Sequence, residues 1–166
     1  MITAHEFGPE LARLLPETSW LLEAAGLVLH PAVAKVSLHG SRGLLGSYRP
    51  NSDIDLSLIV DSAQLSAAPD PDLFLDQVLH VTLDNWSGPV ELDLAAIFDE
   101  MGCGLACLEQ GGQGGVPCRD GGKDCFRVYK DQKGFHGFVR GVGIEVRRML
   151  PCLVIWRKSG SGAGGA

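Results

Sequence analysis

Apolar and polar residues alternate most regularly over Asp53-Ile54-Asp55-Leu56-Ser57-Leu58. That pattern predicts a strand with Asp53, Asp55 and Ser57 on one face and Ile54, Leu56 and Leu58 on the other. Upstream, Val33 to Leu38 predicts a short strand that runs into the glycine-punctuated turn His39-Gly40-Ser41-Arg42-Gly43. From residue 3 to about 29 the chain reads as helical, with Leu11, Leu14, Leu15, Trp20, Leu21, Leu22 and Ala25 at helical spacing. Pro16 suits the first turn of a second helical piece, and Gly26 is its stop. Asp70 and Pro71 form an N-cap and first position for a helix whose apolar face extends to Trp86. Ser87-Gly88-Pro89 ends it, and Val90 to Phe98 predicts a third strand with Glu91 and Asp93 on one face.

Beyond that strand the pattern weakens. Residues 99–125 are rich in glycine and cysteine and predict a long loop. The stretch from Cys125 to Trp156 is mixed, with a strand expected among Ile144, Val146 and Leu153 to Trp156. Tyr129 to His136 combines polar and aromatic residues in a loop-like setting, fit either for a base or acceptor or for plain surface. Ser159 to Ala166 has linker composition and predicts a disordered tail. A chain of 166 residues then suits one domain, residues 1–158, in the α/β (α+β) class with a mixed twisted sheet flanked by helices.

Composition narrows the function. Hydrophobic content of 45% and charged content of 20% describe an ordinary globular protein. Fourteen basic against 20 acidic residues give a net charge of −6, the wrong sign for gripping long nucleic acid by its phosphates. No signal-peptide layout and no membrane-length apolar run stand in the sequence, so the expected location is cytoplasmic, away from membranes. The cysteines are Cys103, Cys107, Cys118, Cys125 and Cys152, an odd number that argues against a disulfide framework. Structural zinc on Cys103, Cys107, Cys118 and Cys125 is the lesser reading, because only the first pair has the tight spacing such sites use.

The chemistry lies in Leu38-His39-Gly40-Ser41 followed, eleven residues on, by Asp53-Ile54-Asp55-Leu56. Carboxylates at i and i+2 leave one face of a strand about 7 Å apart. From there both can reach a pair of divalent ions held about 3.5–4 Å apart. Magnesium takes carboxylate oxygens together with substrate phosphate oxygens. A Gly-Ser turn after a strand offers close backbone approach, N–H groups and a hydroxyl to phosphates. Taken alone, Asp-x-Asp on a strand is usually a solvated face and Gly-Ser usually a turn. Their combination in this order is far less ordinary.

This segment, Val36 to Val60, resembles the signature of the DNA-polymerase-beta-like nucleotidyltransferase superfamily, and most of all its minimal, single-domain members. Gly40, Ser41, Asp53 and Asp55 match the pattern, and Asp93 stands where a third carboxylate belongs on a later strand; Glu91 shares its face. The resemblance implies the nucleotidyltransferase fold and a two-metal transfer. Asp53, Asp55 and Asp93 would be catalytic and hold two Mg2+ ions, with Mn2+ as a substitute. Gly40 and Ser41 would bind the nucleotide's outer phosphates, and Arg42 and Arg49, which flank the same loop, would contact those phosphates too or else stand as solvated loop charges. The donor would be a nucleoside triphosphate, ATP favoured, with pyrophosphate leaving. The acceptor is unassigned. Competing readings are an antitoxin-like or regulatory protein acting on a partner protein, an antibiotic-type adenylyltransferase of small molecules, and a domain that binds nucleotide without turnover. A homodimer is one way for so short a chain to complete an acceptor site.

Overall fold

The computed structural model describes residues 2–4, 6–100, 105, 126–139 and 150–159. The predicted loop with Cys103, Cys107, Cys118 and Cys125, the segment with Ile144 and Val146, and residues 160–166 of the tail lie outside them.

Two helices lie near the start of the chain. α1 spans Pro9–Leu14 and α2 spans Pro16–Ala25, each with proline in its first turn, where the missing N–H costs no hydrogen bond. Gly26 ends α2 in the left-handed region, φ 77°. The helical reading of residues 3 to 29 fails at both ends. Ile2–Ala4 (β1) and Leu27–Leu29 (β2) pair antiparallel as a small sheet. Three apolar residues after a glycine carry no periodicity that could separate strand from helix.

The main sheet has six strands among the described residues: β3 (Val33–His39), β4 (Ile54–Val60), β5 (Leu92–Asp99), β6 (Phe126–Lys130), β7 (Gly137–Phe138) and β8 (Leu153–Arg157). Their spatial order is β7-β6-β5-β4-β3-β8. β4 and β5 are parallel and the other neighbours antiparallel, so the sheet is mixed. A parallel pair needs a crossover connection. Here it is α3 (Ser62–Ser66) and α4 (Pro71–Leu83). Both helices carry an aspartate N-cap: Asp61 accepts from the Ala63 N–H at 3.0 Å, and Asp70 from the Leu73 N–H at 3.2 Å.

Burial divides the sheet by face. Ile54, Leu56, Leu58 and Val60 join Leu92, Leu94, Ala96 and Phe98 in the main core, together with Leu75, Val78 and Leu79 of α4. Ile59, Ile97, Phe126, Val128 and Cys152 form a smaller cluster. Strand alternation puts Asp55 and Ser57 on the face of Ile59, and Asp93 on the face of Ile97. The second face therefore runs from an acidic end to an apolar end.

Candidate functional site

Asp55 and Asp93 are register partners on the parallel strands β4 and β5. Both side chains leave the same face at the same level, near the starts of their strands. Asp53 lies just before β4, and His39 is the partner of Asp55 on the other side, in β3. Glu91, the alternative third acid, is exposed, and its carbonyl accepts the Ile54 N–H at 3.0 Å. The geometry therefore groups Asp93, not Glu91, with Asp53 and Asp55.

Gly40 ends β3 with φ +72°, a conformation that disfavours side chains. A Cβ there would stand 1.9 Å from Asp55 Oδ2. The close approach that glycine permits is thus to the carboxylate of Asp55. Next in the chain, Ser41 is half-buried in the same turn, which closes with Gly43 N–H donating to the Gly40 carbonyl at 3.0 Å.

The two arginines part company. Arg42 is 1% exposed. Its Nε donates to the Ser52 carbonyl at 2.7 Å, and its Nη2 donates to the carbonyls of Arg49 at 3.1 Å and Pro50 at 3.0 Å. Tyr48 covers its guanidinium at 4.6 Å, and Thr18 of α2 donates to its carbonyl at 2.8 Å. Shut inside the loop, this fork of donors serves loop carbonyls through Nε and Nη2, while its buried Nη1 has no hydrogen-bond partner among the described residues. It fixes the path from Ser41 to Asp53. Arg49 is exposed, and its backbone serves the loop, with its N–H donating to Ser52 Oγ at 2.7 Å.

Sequence reasoning missed the cations. Lys130, at the end of β6, donates to Asp93 Oδ1 at 2.5 Å. Lys133 donates to Asp53 and lies 3.5 Å from Asp93 Oδ2. Gln132 fastens their segment to β5. Its side-chain oxygen accepts the Leu94 N–H at 2.8 Å, and its amide donates to the Leu92 carbonyl at 2.8 Å, bracketing Asp93. Tyr129 to His136 held the signal, but nothing local in it names distant acids as partners.

Charge is unevenly shared. Burial, then the charge and hydrogen bond of Asp93 and the charge of Asp53, push the Asp55 carboxyl up to about 6. Burial also pulls Asp93 upward, but the hydrogen bond and charge of Lys130, with Lys133, outweigh it and leave Asp93 below the usual carboxylate value. The hydrogen bond to Asp53 raises Lys133. Below about pH 6, therefore, Asp55 keeps its proton beside an ionised Asp93.

A metal site must be judged on these donors. Among the described residues, no three His, Cys, Asp or Glu side chains stand arranged around one metal position. At the acid cluster the shared position holds the Lys133 ammonium instead. The carboxylate oxygens suit magnesium, and a cation already sits between Asp53 and Asp93, so the donor set fits. No helix among the described residues is long and apolar enough to cross a membrane. Comparison with protein-family models, with curated proteins and with solved structures finds no match to this chain.

Proposed function

We propose that the chain is a metal-dependent nucleotidyltransferase that moves a nucleoside monophosphate from a nucleoside triphosphate, ATP favoured, to an acceptor hydroxyl. The observation that carries this reading is the pairing of Asp55 with Asp93 on adjacent parallel strands, with Gly40 set against Asp55 Oδ2 at the end of the neighbouring strand. A structural ion cluster alone gives no reason for a glycine turn of this kind beside the acids.

In this reading Asp53, Asp55 and Asp93 hold Mg2+, which supplies charge stabilisation to the in-line displacement. The Gly40-Ser41 turn holds the outer phosphates, the Ser41 hydroxyl donating. Arg42 keeps the loop between turn and acids in shape. Asp93, held ionised by Lys130, orients the acceptor hydroxyl and draws on its proton. The acceptor oxygen bonds to the α-phosphorus, the bond to the bridging oxygen breaks, and pyrophosphate leaves.

The test is calorimetric titration of each common nucleoside triphosphate, with and without magnesium, into the wild type and Asp53→Asn. Metal-dependent binding that the variant loses is expected. Binding that ignores both metal and the substitution, or no binding at all, would sink the reading.

A further inference from the structure

Lys133 combines three features that a solvated surface lysine does not need. Its backbone is in the left-handed region at φ 54°, uncommon for a residue with a side chain. The two residues before it are fastened to other elements: Gln132 grips the β5 backbone around Asp93, and Asp131 takes His80 of α4 at 2.7 Å as well as His136 of its own turn at 2.6 Å. The turn closes with Phe135 N–H donating to the Gln132 carbonyl at 2.9 Å. Its ammonium spans Asp53 and Asp93, carboxylates separated by forty residues of chain.

The two lysines differ in freedom. Lys130 stands on a strand with its side chain 17% exposed, while Lys133 stands on a turn at 46%. Lys130 keeps Asp93 ionised, and its strand confines it. Lys133 has a long stem on an open turn and can swing away without disturbing the sheet. Divalent metal and the Lys133 ammonium want the same oxygens, so one must leave when the other binds. A displaced ammonium beside an arriving triphosphate has a ready anionic partner.

We propose that Lys133 is an exchangeable counter-ion: it closes the acids while the site is empty and passes to the phosphates of the incoming metal–triphosphate. This rests on the nucleotidyltransferase reading and adds to it a residue that both guards the metal site and binds substrate.

The consequence is a reversal of sign. Removing the charge should help metal alone and harm metal with triphosphate. The variant is Lys133→Asn, since asparagine is comfortable in the left-handed region and keeps the turn. The probes are Mn2+ alone, followed by electron paramagnetic resonance of the free ion, and magnesium with the α,β-methylene analogue of ATP, followed by calorimetry. Lys133→Asn should bind Mn2+ about fivefold more tightly, the factor expected when a partly exposed ion pair no longer competes. It should bind the magnesium–analogue complex about tenfold more weakly, as loss of a charged hydrogen bond predicts. Lys133→Arg, which keeps the charge, should follow the wild type with Mn2+.

Equal Mn2+ binding by wild type and Lys133→Asn overturns the exchange and leaves the metal site standing. Unchanged affinity for the analogue overturns it too. Mn2+ binding by neither protein, or binding indifferent to Asp53→Asn, overturns the site reading and the exchange with it.

Discussion

Asp55→Asn keeps the shape of the side chain and removes one charge from the cluster. In the folded protein without metal, the Asp55 carboxyl is raised from 3.8 to about 6. A raised acid stabilises the fold below its unfolded value, where it is protonated in both states. That stability is lost as pH rises through the folded value. That rise corresponds to about 3 kcal/mol. The group is only partly shielded, so solvent screening brings this to about 1.5 kcal/mol. Asparagine has no such loss. At pH 8 in chelator, Asp55→Asn should be more stable than wild type by about 1.5 kcal/mol, or about 3–6 °C in Tm for a chain of this size. Below pH 4 the two should coincide. Saturating magnesium should invert the order, because only the wild type gains binding energy: about 2.7 kcal/mol when the ion is at a hundred times its Kd. Thermal unfolding across pH 4–8, with chelator and with magnesium, measures all of this. An Asn variant less stable than wild type at pH 8 in chelator would refute the reasoning and make Asp55 a structural anchor.

Three other perturbations address separate parts of the site. Gly40→Ala forces a Cβ against Asp55 and strains the turn, costing about 1–3 kcal/mol and weakening Mn2+ binding; a variant with unchanged unfolding and unchanged Mn2+ titration contradicts the close approach. Arg42→Met removes donors from three loop carbonyls and should lower stability by about 2–3 kcal/mol in chemical denaturation, whereas a phosphate ligand would leave stability alone and weaken only triphosphate binding. Gln132→Leu should cost about 1–2 kcal/mol and speed hydrogen exchange at the Leu94 amide, and unaltered exchange there would show that the turn is held by other means.

The elements around the acids were legible because each has a local cause. Strict alternation fixed the face of Asp55, and Asp70-Pro71 marked the start of α4 at the right residue. Pro16 and Gly26 likewise bound α2. Short elements were not legible: β1 and β2 have three residues each, too few for a period to show. The hold of Arg42 on its own loop was not legible, because its burial depends on carbonyls that only the folded loop brings together. Lys133 was invisible as a partner of Asp53 because 80 residues separate them, and no pattern in either segment encodes the meeting. The acids could be read from sequence, then, but not the counter-ions that set their charge.

The parallel pairing of β4 with β5, the only one among the described residues, also bears on the order of events during folding. Gly40 and Asp55 belong to neighbouring antiparallel strands and can meet through a short loop. Asp93 reaches Asp55 only after the whole crossover, α3 and α4 included, has closed, and Lys133 arrives later still along the chain. Closing longer loops delays contacts that depend on them. In a refolding experiment the far-ultraviolet helical signal should therefore recover before the protein regains its response to Mn2+, so that the ion serves as a clock for the last stage of assembly.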